Sequence, residues 1–153
     1  DVERSRGLGD VYKRQVDVAV DDGEVVGALL WEPPADPGAL ATVRRAITGG
    51  TRWVLGRLPI GRGARHTLQI EAYRPTAPHW YLRDIGAGPE ARGKGVGTAL
   101  LEHRLAIVDR SPTPLAFLEA TTPGSRRLYE RFGFEAIGSV ATLGEASSTA
   151  MVR

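Results

Sequence analysis

Two apolar, β-branched stretches near the start of the chain predict a β-hairpin. Residues 16–20 and 25–31 are separated by an acidic segment, DDGE, at residues 21–24. Glycine readily adopts the positive φ that tight hairpin turns need. We therefore expect the two stretches to pair as neighbouring strands.

A helical pattern follows the hairpin. Prolines and a glycine at residues 33–38 end the strand pattern, and Leu40, Val43 and Ile47 then recur at helical spacing until the glycine pair at residues 49–50. This spacing predicts a short helix. Residues 51–78 follow no single pattern, and within them residues 67–73 fit a helix or a strand equally well.

The second half of the chain alternates predicted strands and helices. Strands are predicted at residues 79–85, 115–120, 134–143 and 148–153, and helices at residues 98–108 and 124–132. Pro123 suits a helix start and Gly133 a helix end. The resulting order, β-β-α-β-α-β-α-β-β, predicts an α/β fold with a mixed sheet and helices on its faces.

Composition narrows the class of protein. The chain has 153 residues, of which 25% are charged and 42% hydrophobic, as in one soluble globular domain. No apolar run of about 18 residues is present, so no membrane span is predicted. With no cysteine and three scattered histidines, no metal site is predicted. A net charge of +2 without a basic stripe does not indicate nucleic-acid binding.

The first fifteen residues, DVERSRGLGDVYKRQ, contain no initiator methionine, no apolar core of a signal peptide and no periodicity. Residues 9–15 resemble a translated sequencing-adaptor scar. We therefore expect residues 1–15 to be a non-native or disordered segment, the natural N-terminus to be missing, and residues 16–153 to form a single domain.

A glycine-rich loop, RGKGVG at residues 92–97, lies between a predicted strand and a predicted helix. Backbone N–H groups and the helix dipole favour an anion at such a position. Gly93, Gly95 and Gly97 allow phosphate oxygens to approach closely, and Arg92 and Lys94 add positive charge. The loop fits neither the P-loop nor the dinucleotide fingerprint. The alternative is a glycine-rich connection with two solvated cations.

The loop and its flanks resemble a family. Arg92, Gly95 and Gly97 match the Q/R-x-x-G-x-G/A pyrophosphate motif of the GNAT superfamily of N-acetyltransferases. HWYLRDIGAGPEARGKGVGTALL is similar to the central strand, bulge, loop and helix of that superfamily, and PLAFLEATTPGSRRLYERFGF to its next strand and helix. The resemblance covers residues 79–134, and the opening hairpin more loosely. It implies the GNAT (acyl-CoA N-acyltransferase) fold, with a mostly antiparallel mixed sheet.

The resemblance also implies a reaction. The protein is expected to be a cytoplasmic N-acetyltransferase that moves the acetyl group of acetyl-CoA directly to a primary amine on a small molecule or a peptide, without a metal. The alternatives are a non-catalytic acyl-CoA-binding or sensing module and a different phosphate-binding α/β domain. A monomer and a homodimer both remain open.

The resemblance further implies which residues bind the coenzyme. The strand before the loop is expected to splay from its neighbour and to bind the pantetheine arm through Ile85 and Ala87. The pyrophosphate is expected on the main-chain amides of Arg92, Gly93, Lys94, Gly95, Val96, Gly97 and Thr98. Ser125 stands where many relatives have an asparagine that contacts the cofactor, and its hydroxyl is equally suited to capping a helix.

Three residues are candidates for proton transfer, one as the acid and two as the base. Tyr129 matches the family tyrosine that protonates the departing CoA thiolate, although the same position also suits a core aromatic. Tyr81 occupies the place where some relatives hold a glutamate base, and a phenol is no base at neutral pH. Glu119 is therefore the first candidate for the base, through a water molecule, and Asp84 is the second. His79 is expected to be structural.

Overall fold

A computed structural model describes residues 2–5, 15–34, 62–141 and 147–153. Within them the elements are β1 (Val2–Ser5), β2 (Gln15–Asp21), β3 (Glu24–Glu32), α1 (Arg62–Tyr73), β4 (Trp80–Ala87), a 3-10 turn (Pro89–Ala91), α2 (Val96–Val108), β5 (Ala116–Ala120), α3 (Pro123–Arg131), β6 (Glu135–Ala141) and β7 (Ser147–Val152). The helix predicted near residues 40–47 lies outside the described residues.

The chain divides into two compact units. The first comprises Asp1–Pro34 and His79–Ala116, and the second comprises Ala35–Pro78 and Phe117–Arg153. No described helix is long and apolar enough to cross a membrane. The expected domain boundary at residue 15 stays a prediction.

The first unit is built on four antiparallel strands in the order β1-β2-β3-β4. The predicted hairpin between β2 and β3 is confirmed, and its turn residues Asp22 and Gly23 have φ values of 49° and 83°. Positive φ at both turn positions matches the right-handed twist of the flanking strands. A further strand, β1, lies within residues 1–15, the segment expected to be non-native or disordered. It pairs with β2.

Helix α2 covers this sheet and forms the core of the first unit. Leu101, Leu105 and Val108 are buried on one face, and Leu100 is buried beside them. The helix begins at Val96, two residues before its predicted start. The apolar face of α2 therefore fixes the helix N-terminus, and with it the glycine loop, against the strands.

A buried ion pair also fastens α2 to the sheet. The guanidinium of Arg104 donates from Nε to Asp17 Oδ2 at 2.6 Å and from Nη2 to Asp17 Oδ1, and both side chains are fully buried. Arg104 Nη1 also donates to the amide oxygen of Gln15. Such a bidentate pair is acceptable in a dry interior because every charged atom meets a partner.

The second unit is built on three antiparallel strands in the order β5-β7-β6. Residues 67–73, which the sequence left undecided, belong to α1. The Tyr73 ring lies where a side chain at Gly138 of β6 would stand, and its hydroxyl donates to Ser139 O at 3.4 Å. Glycine at position 138 thus allows the C-terminal end of α1 to approach β6 closely.

Candidate active site

The glycine loop takes its shape from two residues in the left-handed region. Gly93 has φ 75°, and Gly95, the N-cap residue of α2, has φ 82°. A Cβ at either position would meet no atom within 4 Å, so the backbone conformation rather than space calls for glycine there. The loop is exposed and opens directly into the first turn of α2.

The first turn of α2 presents open amides. Ala99 N donates to Gly95 O at 2.9 Å, which makes it the first amide to join the helix ladder. The amides of Val96, Gly97 and Thr98 precede it and have no intrahelical acceptor. Among the described residues, none of these three amides meets another hydrogen-bond acceptor. Three N–H groups therefore converge where the helix dipole is positive.

Two of the main-chain amides predicted to bind the pyrophosphate already donate hydrogen bonds to carbonyl groups of the protein. Arg92 N donates to Pro89 O at 3.4 Å and Lys94 N donates to Ala91 O at 3.2 Å, because the chain turns tightly after the 3-10 segment. The expected row of amides from position 92 to position 98 is therefore shorter than the sequence suggested. The side chains of Arg92 and Lys94 remain exposed and contribute charge.

A cavity of about 630 Å³ lies beside the loop, between the start of α2 and the β2–β3 turn. Lys94, Gly95 and Val96 line it on the loop side. Its turn side carries the carboxylates of Asp21, Asp22 and Glu24, and Glu90 lines it as well. An anion in this cavity is favoured at the amides and Lys94 and disfavoured near the turn.

Ile85 and Ala87 lie at the C-terminal end of β4. Gly88 N donates to Val26 O at 2.9 Å, which defines a hydrogen-bonded pair between β3 and β4. Hydrogen-bonded and non-hydrogen-bonded pairs alternate along an antiparallel ladder. Ile85 and Ala87, opposite Leu29 and Gly27, are therefore in non-hydrogen-bonded positions. Their N–H and C=O groups point away from β3, as extended recognition of an amide chain requires.

Gly27 of β3 brings α2 against the sheet. An ideal Cβ at Gly27 would lie 2.5 Å from Val96 Cγ1 and 2.9 Å from Gly86 O. Real Cβ atoms essentially never make contacts this close, so a side chain at position 27 would force α2 and β3 to shift. The role of Gly27 was not predictable from the sequence, because the pattern of one strand does not reveal which helix residue will cross it.

Tyr129 is buried in the second unit, with 4% of its surface exposed. Its ring meets that of Phe134 edge-on, at a centroid separation of 6.0 Å. Burial raises the pKa of Tyr129 to about 12 because the phenolate would lose its hydration. The side chain thus belongs to the core and also stays protonated at neutral pH, as a hydrogen-bond donor must.

The Ser125 hydroxyl is engaged in a capping box at the start of α3. Thr122 is the N-cap residue, and its Oγ1 accepts from Ser125 N at 3.0 Å. In return Ser125 Oγ accepts from Thr122 N at 3.1 Å and donates to Thr122 O at 2.9 Å. This reciprocal arrangement satisfies two amides at a helix start. The capping interpretation of Ser125 is confirmed, whereas its contact with a coenzyme stays a prediction.

Glu119 stands near the end of β5 and has two partners within its own unit. His66 Nε2 of α1 lies 2.7 Å from Glu119 Oε1, and Ser148 Oγ of β7 donates to the same oxygen. No local sequence pattern links His66 to Glu119. The two residues are 53 positions apart, and the segment that holds His66 was not recognised as a helix.

The other candidate bases are less suited to proton transfer. Asp84 has 73% of its side chain exposed and lies 3.7 Å from Arg83 Nε. His79 is buried, in keeping with its expected structural role. Tyr81 is part-buried in β4.

These features describe an α/β protein with three open amides at a helix N-terminus, next to a strand in which the backbone groups of Ile85 and Ala87 point away from β3. The profile of the Acetyltransferase (GNAT) family matches residues 10–134. The chain therefore belongs to the GNAT acetyltransferase family. The expected α/β class and GNAT fold are confirmed.

Solved structures agree with this assignment. The chain is similar to a Corynebacterium glutamicum protein titled histone acetyltransferase HPA2 and related acetyltransferase, with 31% identity, a TM-score of 0.61 and coverage of 92% of this chain and 64% of that one. It thus spans less than two thirds of that relative's length.

Two structures with lower identity show similarity in fold. The polyamine N-acetyltransferase of Drosophila melanogaster has 19% identity and a TM-score of 0.61, with coverage of 90% of this chain and 73% of that one. Arabidopsis thaliana Naa50, solved with the bisubstrate analogue CoA-Ac-MVNAL, has 15% identity and a TM-score of 0.56, with coverage of 90% and 71%.

Proposed function

We propose that this protein is an N-acetyltransferase that moves the acetyl group of acetyl-CoA directly to a primary amine. The observation that carries the proposal is the set of open amides at Val96, Gly97 and Thr98 beside two exposed cations. Phosphate oxygens would accept from these amides, and Arg92 and Lys94 would balance their charge. A glycine-rich connection without a ligand would not explain the backbone groups of Ile85 and Ala87 that point away from β3.

The backbone groups of Ile85 and Ala87 that point away from β3 are the second support. The pantetheine arm of coenzyme A is an extended chain with two amides, and such a chain can hydrogen-bond to exposed strand groups. Ile85 and Ala87 would supply those groups. Recognition of a phosphate tail followed by an amide-bearing arm distinguishes an acyl-CoA from NAD or ATP, which share only the phosphates.

Direct transfer suits the side chains of this sequence, which has no cysteine to carry an acyl group. Tyr129 would donate to the leaving sulfur. With a pKa of about 12 against about 8.5 for an ordinary thiol, complete proton transfer is uphill by about 5 kcal/mol. Tyr129 is therefore proposed to stabilise the thiolate by a hydrogen bond, with the proton following as the products separate.

The acceptor is proposed to be a primary amine of a small molecule or a peptide, in the cytoplasm. The Drosophila relative is titled a polyamine acetyltransferase, and the Arabidopsis structure holds a CoA–peptide analogue. The amine proton is proposed to leave through Glu119 and the residues hydrogen-bonded to it, which lie in the second unit with Tyr129.

A binding or sensing module is the second candidate function. It is favoured by the absence of a carboxylate at position 81, where Tyr81 stands, and by the engagement of Ser125 in the helix cap. Such a module would bind acetyl-CoA through the same amides but release no thiol.

Thermal unfolding with ligands tests the proposal. Acetyl-CoA is expected to raise the melting temperature, and NAD and ATP are not. The double variant R92Q/K94Q should lose most of the shift, whereas Arg127→Gln, which removes an exposed cation from α3, should keep it. Equal shifts from all three ligands would identify a generic phosphate site. The sensing module would be identified by a different result: acetyl-CoA raises the melting temperature, but no thiol is released with agmatine, spermidine or the peptide Met-Val-Asn-Ala-Leu as the acceptor.

A further inference from the structure

Three polar side chains form a hydrogen-bonded series in the second unit, running from its surface inward. The His66 side chain is 27% exposed and that of Glu119 is 12% exposed. Ser148 is 1% exposed. They come from α1, β5 and β7. An imidazole that is partly open to solvent and backed by a part-buried carboxylate and a buried hydroxyl is an arrangement suited to moving protons.

The hydrogen bonds assign the tautomer of His66. Glu119 Oε1 is an acceptor, so His66 Nε2 must carry the hydrogen across their 2.7 Å contact. In the neutral ring this leaves the lone pair on Nδ1. Among the described residues no group is hydrogen-bonded to Nδ1. Nδ1, which can accept a proton, is therefore available. Nε2, which carries the hydrogen, is held by the carboxylate of Glu119.

Glu119 is less well placed to accept the proton itself. Its Oε1 already accepts from both His66 and Ser148. Each of these bonds would have to weaken if that oxygen were protonated. A carboxylate held in this way is better suited to orienting an imidazole and to stabilising the imidazolium that forms next to it.

The position of His66 is set by packing further along α1. Tyr73 follows His66 by seven residues, which is two helical turns, so the two side chains lie on the same stripe of the helix. The Tyr73 ring rests on Gly138, where a larger residue would not fit. The contact fixes the rotation of α1, which keeps the imidazole above Glu119.

We infer that His66 is the group that takes the proton from the acceptor amine, with Glu119 and Ser148 as positioning residues. The inference rests on the proposed function. The ammonium form of the acceptor gives one proton to Nδ1 and becomes a nucleophile. The N–C bond then forms at the acetyl carbon as the C–S bond breaks. The second amine proton ends on the sulfur, and the imidazolium releases its proton to water.

The rival interpretation is that His66 only ties α1 to β5. The variant His66→Gln separates the two roles, because glutamine keeps an N–H donor for Glu119 and has no nitrogen that accepts a proton near neutral pH. His103→Gln is the matched control, since His103 is a part-exposed histidine on α2, outside the series. Turnover would be measured with acetyl-CoA and agmatine, spermidine or the Met-Val-Asn-Ala-Leu peptide.

We expect His66→Gln to lower kcat by about 100-fold or more, within the range for a lost general base, and to keep the thermal shift with acetyl-CoA. Free imidazole should restore part of the activity of His66→Gly. Nitrogen-15 NMR should find the His66 ring protonated at Nε2 in the parent protein, and Glu119→Gln should weaken that preference.

The possible failures are distinguishable. Unchanged turnover in His66→Gln, or a ring protonated at Nδ1, would overturn the role of His66 and leave the acetyltransferase proposal standing. A parent protein that binds acetyl-CoA but releases no thiol with any of the three amines would overturn the acetyltransferase proposal, and the role of His66 with it.

Discussion

Val96 at the start of α2 lies directly over Gly27 of β3, and a single added carbon at position 27 would bring the two into collision. The ideal Cβ would stand 2.5 Å from Val96 Cγ1. The amides proposed to hold the coenzyme belong to the turn that begins at Val96. A strand residue that touches no ligand therefore determines where those amides lie.

Gly27→Ala should consequently weaken coenzyme binding. The new methyl group must push α2 outward, at a cost of about 1–3 kcal/mol in unfolding free energy, and acetyl-CoA affinity should fall by about tenfold. Denaturant titration and calorimetry would measure the two effects. Gly63→Ala is the control, because a Cβ there meets nothing within 4 Å and alanine favours a helix. Parental affinity in Gly27→Ala would contradict this expectation.

The buried pair of Asp17 and Arg104 predicts a strongly non-additive pair of substitutions. Asp17→Leu alone leaves a guanidinium buried without its countercharge and should cost about 3–5 kcal/mol. Adding Arg104→Met should recover much of that loss, because no buried charge then remains. Urea unfolding of the two single variants and the double variant gives the coupling energy.

The pair of Arg126 and Glu130 provides a comparison for the double-mutant cycle at Asp17 and Arg104. They form an exposed pair at 2.8 Å, with 48% and 44% of their side chains accessible. Arg126→Ala should cost less than about 1 kcal/mol. Additive losses at Asp17 and Arg104 would mean that their pairing contributes little.

Tyr129→Phe should lower turnover by about 10- to 100-fold, because the leaving sulfur loses its proposed hydrogen-bond donor. The apolar ring remains, so stability at neutral pH and acetyl-CoA binding should change little. Steady-state rates with saturating acetyl-CoA would measure the effect, with Tyr81→Phe as the control phenol. A fully active Tyr129→Phe would reduce Tyr129 to a core aromatic.

The raised pKa of Tyr129 also predicts a loss of stability in alkali. Below pH 10 the phenol is protonated in both the folded and the unfolded chain, so it contributes no pH dependence. Between pH 10 and about 12 only the unfolded chain ionises, so its contribution falls by up to about 3 kcal/mol. Urea unfolding of the parent and of Tyr129→Phe across this range should give diverging curves. Parallel curves would show that the folded protein tolerates the phenolate.

Ser125→Ala tests whether the hydroxyl caps α3 or also contacts the coenzyme. Loss of the capping box should lower the unfolding free energy by about 1 kcal/mol. Thr122→Ala should lower it similarly, since Thr122 is the other half of the box. If Ser125 serves only as a cap, both variants should bind acetyl-CoA equally well. Weaker binding in Ser125→Ala alone would support the predicted contact.

Local sequence patterns predicted most of the fold. The turn around Gly23, the apolar face of α2 and the helix end at Gly133, which has φ 79°, each depend on residues close together in sequence. The glycine loop was found for the same reason. Its N-cap glycine, Gly95, directly precedes the helix that it begins.

Features that depend on distant residues were not predictable. In the Val-Asp-Val pattern at the start of β2, hydrophobicity alone would bury the valines. Asp17 is the fully buried residue instead, because Arg104, 87 positions away, lies across from it. The contact between His66 and Glu119 likewise joins two elements that no short motif links.

The division of the chain into two units separates two properties of the proposed enzyme. The open amides and the β4 residues Ile85 and Ala87 belong to one unit, and Tyr129, Glu119 and His66 belong to the other. Substitutions in the first unit should mainly alter how tightly the donor is held, and those in the second how fast it reacts. Affinity and rate could thus diverge independently among descendants of one ancestral sequence.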